Sequence, residues 1–228
     1  MIETHVKQAS FLSRHSFAAL SEPFRPGSAN VYLVSYAGVH RRFFVADIKG
    51  SVVLDSLAAI KARSGEAALK KIIASLSEAS RAMFEKPIYV SEWYSLDAFA
   101  EFLEANVRVT AGGDRNVLSQ RSEKVIETQL RGVYKIFVKF GSPGFVITRI
   151  SAVHATYFKG VQIIPEVEDH SAVIKYVGFQ KQHEIFEYTI SGFFRKALEI
   201  SGAKQVALQF TIPISAGEPY SELTIQWE

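Results

Sequence analysis

After Tyr157 the hydrophobic pattern of the chain changes period, and that change limits the possible folds more than any other feature of the sequence. Residues 160–169, GVQIIPEVED, and 171–179, SAVIKYVGF, alternate apolar and polar side chains, which puts every second residue on one face of a strand. Residues 183–202, HEIFEYTISGFFRKALEISG, repeat instead at helical spacing through Ile185, Tyr188, Phe193 and Leu198, with Gly202 as the C-terminal stop. Two further alternating runs, KQVALQFTIP and SELTIQW, are joined by the turn-forming segment ISAGEPY. A β-β-α-β-β order calls for an antiparallel sheet with helix on one face. Because mostly helical sequence precedes it, the predicted class is α+β.

Upstream, the texture is helical from Asp47 onward. Val53, Leu54, Leu57 and Ile60 recur on one side of a helix with Ser51 at the N-cap and Gly65 at its end, and Leu69, Ile72, Ile73 and Leu76 continue the pattern to a break near Ser77. A short helix then stops before Pro87. Ser95 caps the next helix, whose buried stripe is Phe99, Phe102 and Leu103, and Gly112-Gly113 ends it. A polar helix over about 114–129 leads to a segment opened by Arg131, Gly132 and Tyr134 and running to Gly141, after which Ser142-Pro143 signals another helix start. Before all of this, residues 1–22 carry Val6, Phe11, Leu12, Phe17 and Leu20 at near-helical spacing. NVYLVSY and VHRRFFVA flank Ala37-Gly38 as a β-hairpin. The organisation expected is an N-terminal helix and hairpin over 1–46, followed by an α+β unit over 47–228 in which a helical layer precedes the sheet.

Composition removes several classes of function. The chain of 228 residues has no cysteine, which excludes disulfides, thiolate metal sites and a cysteine nucleophile, and fits a cytoplasmic setting. A net charge of +3, from 26 basic and 23 acidic residues, leaves no basic footprint for nucleic acid beyond the short clusters His40-Arg41-Arg42 and Lys70-Lys71. No apolar run reaches the ~20 residues of a membrane-spanning helix, and the N-terminus lacks the apolar stretch of a signal peptide. There is no G-x-S-x-G elbow, P-loop or G-x-G-x-x-G run.

Four ordered motifs carry a family resemblance: KGSVVLDSL at 49–57, SEWYSLDAF at 91–99, LRGVYKIFVKFGSP at 130–143 and GEPYSELTIQW at 217–227. In order and spacing the chain resembles an uncharacterised deltaproteobacterial, myxobacterial-type paralogue family, distantly similar to the vinyl reductase ligand-binding domain. The resemblance implies a fold shared in outline with haem-based nitric-oxide sensors and TRAPP vesicle-tethering subunits, a helical layer over an antiparallel sheet that often encloses an apolar pocket. The vinyl reductase group commonly carries cysteines around its C-terminal strands, and this chain has none.

The resemblance and the aromatic content, 17 Phe among them, point to a non-catalytic sensory or regulatory domain holding a small apolar or amphipathic ligand between helices and sheet, with no cofactor and no metal. The residues expected at such a site are Trp93 and Tyr94 at a helix entry, Arg131, Tyr134 and Phe137 on the segment leading to Gly141, and His154 on the following helix. His154, beside Tyr157 and Phe158, could ligate a haem in a related fold, but the chain lacks the Tyr-x-Ser-x-Arg pattern by which haem nitric-oxide sensors hold propionates. Glu166, Glu168, Asp169, His170 and His183 make an acid-and-imidazole cluster whose spacing matches no ligand motif, so it reads as a solvated loop. The alternative function is a protein-interaction scaffold resembling TRAPP subunits, offering NVYLVSY or the terminal strand as a free edge to a second copy or a partner. An enzyme ranks third because no nucleophile is paired with a base.

Overall fold

In the computed structural model of the chain, the described residues are 31–36, 39–44, 46–130 and 142–228, with side chains excepted at 31–44, 128–130 and 150–155. They belong to a unit spanning Val31–Glu228. The helix expected within 1–22 and the segment 131–141 lie outside them. The expected hairpin forms: β1 (Val31–Tyr36) and β2 (Val39–Phe44) pair antiparallel with Tyr36 opposite Val39.

Strand β3 (Asp47–Lys49) runs directly into helix α1 (Gly50–Ala74). This corrects the expectation that Ser51 is the N-cap. Lys49 holds that position without a side-chain cap, and the first-turn Gly50 N–H is satisfied by Glu92 O at 2.9 Å. Gly65, at φ 83° and ψ 166°, interrupts the helix where the sequence predicts an end, because its left-handed backbone cannot carry the i to i−4 ladder. Ser77 then caps α2 (Glu78–Phe84), and Glu101 accepts from both the Ser77 N–H (2.6 Å) and its hydroxyl (2.7 Å), seating α2 on the next helix.

Trp93 and Tyr94 stand at a helix entry as expected, and with Ser95 they also form a short strand, β4 (Trp93–Ser95). Ser95 caps α3 (Leu96–Ala111) by accepting from Ala98 N–H, and Phe99, Phe102 and Leu103 are buried as the stripe requires. Helix α4 (Asn116–Leu130) follows, and α5 (Pro143–Tyr157) starts where Ser142 accepts from Phe145 N–H at 3.3 Å. The two-residue strand β5 (Phe158–Lys159) completes a small antiparallel sheet of order β4-β3-β5.

The C-terminal half has the β-β-α-β-β order read from the sequence: β6 (Gln162–Val167), β7 (Ser171–Val177), α6 (Phe186–Ile200), β8 (Ala207–Ile212) and β9 (Tyr220–Gln226). All neighbours are antiparallel, in the order β6-β7-β9-β8. Alternation puts Ala172, Ile174 and Tyr176 of β7 and Leu223 and Ile225 of β9 into the core, and Trp227 closes its edge at 6% exposure. The terminal strand β9 is therefore interior to the sheet. It offers no free edge to a partner, contrary to the scaffold expectation, and the edges belong to β6 and β8.

Helix α6 packs most closely on α4. A Cβ at Gly192 would collide with Ser119 O, and the Ser122 hydroxyl donates to Thr189 O at 2.8 Å, so the two backbones are in contact. Gly192→Ala is expected to force these helices apart and cost about 1–3 kcal/mol, read as a lower urea midpoint with an unchanged slope.

Candidate functional site

Backbone pairing decides the position of Trp93 and Tyr94. Trp93 sits opposite Lys49 and Tyr94 opposite Ile48, a fully buried residue. The Lys49 ammonium lies 4.5 Å from the centre of the Trp93 ring and also donates to Ser91 O at 2.6 Å. The Tyr94 ring lies against Gly50, where a Cβ would come within 2.9 Å of it, and its hydroxyl accepts from Tyr89 N–H at 2.8 Å. Both rings thus have a packing role at the start of α1. His154 lies on α5, with its side chain outside the described set, and Arg131, Tyr134 and Phe137 fall outside the described residues altogether.

Aromatic rings fill much of the space between helices and sheet. Phe84 stacks on Phe102 (4.7 Å between centroids), Phe102 on Phe99 (5.9 Å), and Phe99 meets Phe186 (6.2 Å). Phe186 stacks on Phe179 (5.6 Å) and takes Phe158 edge-on (5.9 Å), and Phe179 continues through Tyr176 (5.8 Å) to Phe210 on β8 (6.3 Å). The phenylalanines that suggested a pocket are here largely one another's neighbours.

His183 is embedded in this chain, edge-on to both Phe179 and Phe186 and 1% exposed. Its Nδ1 accepts from Gln180 N–H at 3.0 Å, which leaves the proton on Nε2, and Nε2 donates to Asp97 Oδ1 at 2.6 Å. The hydrogen bond from His183 holds the Asp97 carboxyl below its ordinary value, against the opposing effect of burial. This pair ties the first turn of α3 to the turn ahead of α6. Sequence reading grouped His183 with the acidic loop, and the structure corrects that grouping. Glu166 pairs with Lys175, Glu168 accepts from the Ser171 hydroxyl, Asp169 and His170 are exposed, and His183 faces Asp97 instead. Asp97 had a visible signal only as an acid in a helix first turn, because its partner is 86 positions away.

The rest of the acidic loop lines an open groove of about 850 Å³ at the end of the sheet, between Glu168–Ser171, Gln205, Ala207 and Gln226–Glu228. Among the described residues no three histidine or carboxylate side chains are grouped to hold a metal ion. Among them, too, no helix is long and apolar enough to cross a membrane.

No protein-family profile matches the sequence, and no curated protein matches it. Solved structures do. The Fe(II) unliganded H-NOX protein from K. algicida is 12% identical, with TM-score 0.58 over 79% of this chain and 96% of that one. The H-NOX protein from S. oneidensis in its Fe(II)NO ligation state is 10% identical, with TM-score 0.59 over 79% and 99%. A point mutant of T. tengcongensis H-NOX is 14% identical, with TM-score 0.55 over 79% and 97%. At these identities the likeness is one of fold.

A further H-NOX structure, 14% identical with TM-score 0.54 over 79% of this chain and 94% of that one, concerns heme distortion. An axial imidazole needs a free ring nitrogen facing the interior. Both nitrogens of His183 are engaged, His170 is exposed, and the fully buried residue of α5 among the described side chains is Ile147. The described side chains therefore supply no axial ligand for a haem.

The Asp97–His183 pair sets a pH dependence. A depressed carboxyl stabilises the fold fully above its unfolded value, near 3.9, and loses that contribution as pH falls through the folded value. Urea midpoints measured downward from about pH 5 are therefore expected to fall more steeply for the native chain than for Asp97→Asn. Parallel profiles would remove the role assigned to the pair.

Proposed function

We propose that the chain is a non-catalytic sensory or regulatory domain that takes a small apolar or amphipathic ligand, other than haem, between its helices and sheet. The observation that carries this reading is the fold likeness, which extends over 96–99% of the length of H-NOX domains that include one solved with nitric oxide on its iron. The ligand-binding unit is taken as residues 47–228, with 1–46 as an extension. In this reading Arg131, Tyr134 and Phe137 border the ligand together with His154, and Trp93 and Tyr94 stand at its margin. Kinship with the vinyl reductase ligand-binding domain and the bacterial paralogue family, resting on the four motifs, belongs to the same proposal, as does a cytoplasmic location. The scaffold reading has lost the terminal strand as a free edge, and no observation favours it here.

The test is native mass spectrometry of protein purified from its own host, compared with its denatured mass. An additional mass of small-molecule or lipid size, lost on denaturation and reduced by Phe137→Ala, is the expected result, with no Soret absorption. A bare native mass would overturn the proposal, and a Soret band would replace its ligand with haem.

A further inference from the structure

Arg63 and Arg121 lie on the helical layer without the ion pairs that hold several of its arginines. Arg115 bridges Glu104 (2.7 Å) and Glu184 (2.9 Å), Arg195 pairs with Glu123 and Arg81 with Glu85. Arg63 and Arg121 have no carboxylate partner among the described residues. Arg121, on α4, donates through Nη2 to Thr110 Oγ1 at 3.3 Å, while its Nη1 is buried and meets no acceptor. Thr110 uses its own proton on Asn106 at the end of α3, so the hydroxyl has only lone pairs to offer Arg121. Arg63 stands at the end of the first segment of α1, which packs on α3. Burial lowers the proton affinity of both guanidinium groups, and the charge of Arg63 lowers that of Arg121 further. The nearest acid along α1, Glu66, is already held by Lys61 (3.0 Å) and Lys70 (3.4 Å).

An N–H withdrawn from water without an acceptor is costly, and two neighbouring cations repel. One group relieves both at once: an oxyanion with at least two acceptor oxygens, which the planar fork of arginine is shaped to receive. We propose that Arg63 and Arg121 form a binding site for the phosphate or carboxylate group of a small ligand, on the helical layer at the junction of α1, α3 and α4. Arg121 supplies the buried N–H, and Arg63, being exposed, closes over the anion from the solvent side. The site is separate from the interior between helices and sheet and stands whether or not that interior takes a ligand.

The test is isothermal titration of the full chain with inorganic phosphate and, separately, with propionate, at constant ionic strength maintained with chloride. Saturable binding of one of them is expected, weakened about tenfold or more by Arg63→Gln and by Arg121→Gln and unchanged by Arg81→Gln. Saturation by phosphate alone assigns a phosphorylated ligand, and by propionate alone a carboxylate. If Arg121→Gln does not fold, the exposed Arg63→Gln still decides the matter. Absence of saturable binding for both anions, or binding that Arg63→Gln leaves intact, overturns the proposal.

Discussion

Three residues of strand, Asp47–Lys49, hold together parts of the chain that are far apart in sequence. Strand β3 pairs with β4 on one side and β5 on the other, so segments at 93–95 and 158–159 meet at 47–49. The Gly50 N–H reaches Glu92 O, and the Leu96 N–H reaches Ala46 O at 3.0 Å. The beginnings of α1 and α3 and the end of α5 are thereby set at one place, and Ile48, at the centre, is fully buried. Backbone groups in such a position must be paired once water is excluded, which gives this short sheet its leverage over the helical layer.

Between that sheet and the larger one the interior is aromatic. Rings from α2, α3, β5, β7, α6 and β8 form a continuous series, and the imidazole of His183 is set into it by Gln180 and Asp97. The carboxylate that accepts its hydrogen bond is 63% exposed, so the buried ring is satisfied by a group that itself reaches solvent. Among the described residues the buried histidine is His183, and both of its ring nitrogens are engaged in hydrogen bonds within the fold.

Much of the architecture was legible in local signals. Ser77, Ser95 and Ser142 each cap the helix expected to follow, Gly65 breaks α1 where its left-handed backbone is needed, and the switch to alternating residues after Tyr157 marks the start of the sheet region. The errors share a cause. Ser51 is not a cap because Glu92 O, from elsewhere in the chain, already satisfies the helix start, and Trp93 and Tyr94, at the entry to α3 as expected, also form a strand because β3 is there to pair with them. His183 was assigned to its neighbours in sequence, whereas its partner is across the fold. In each case the deciding hydrogen bond joins residues dozens of positions apart, and no local pattern records it.

The sequence by itself determined the class of this protein, because periodicity, caps and turn residues act over a few positions and the chain carries them without conflict. It also determined, through the absence of cysteine, which chemistries are closed to it. Tertiary structure alone decided that β9 lies inside the sheet, that the phenylalanines pack largely on one another, and that Arg121 buries an N–H without an acceptor. These outcomes depend on which surfaces meet when the chain closes on itself, and burial assigns value to a contact only after both partners have left water.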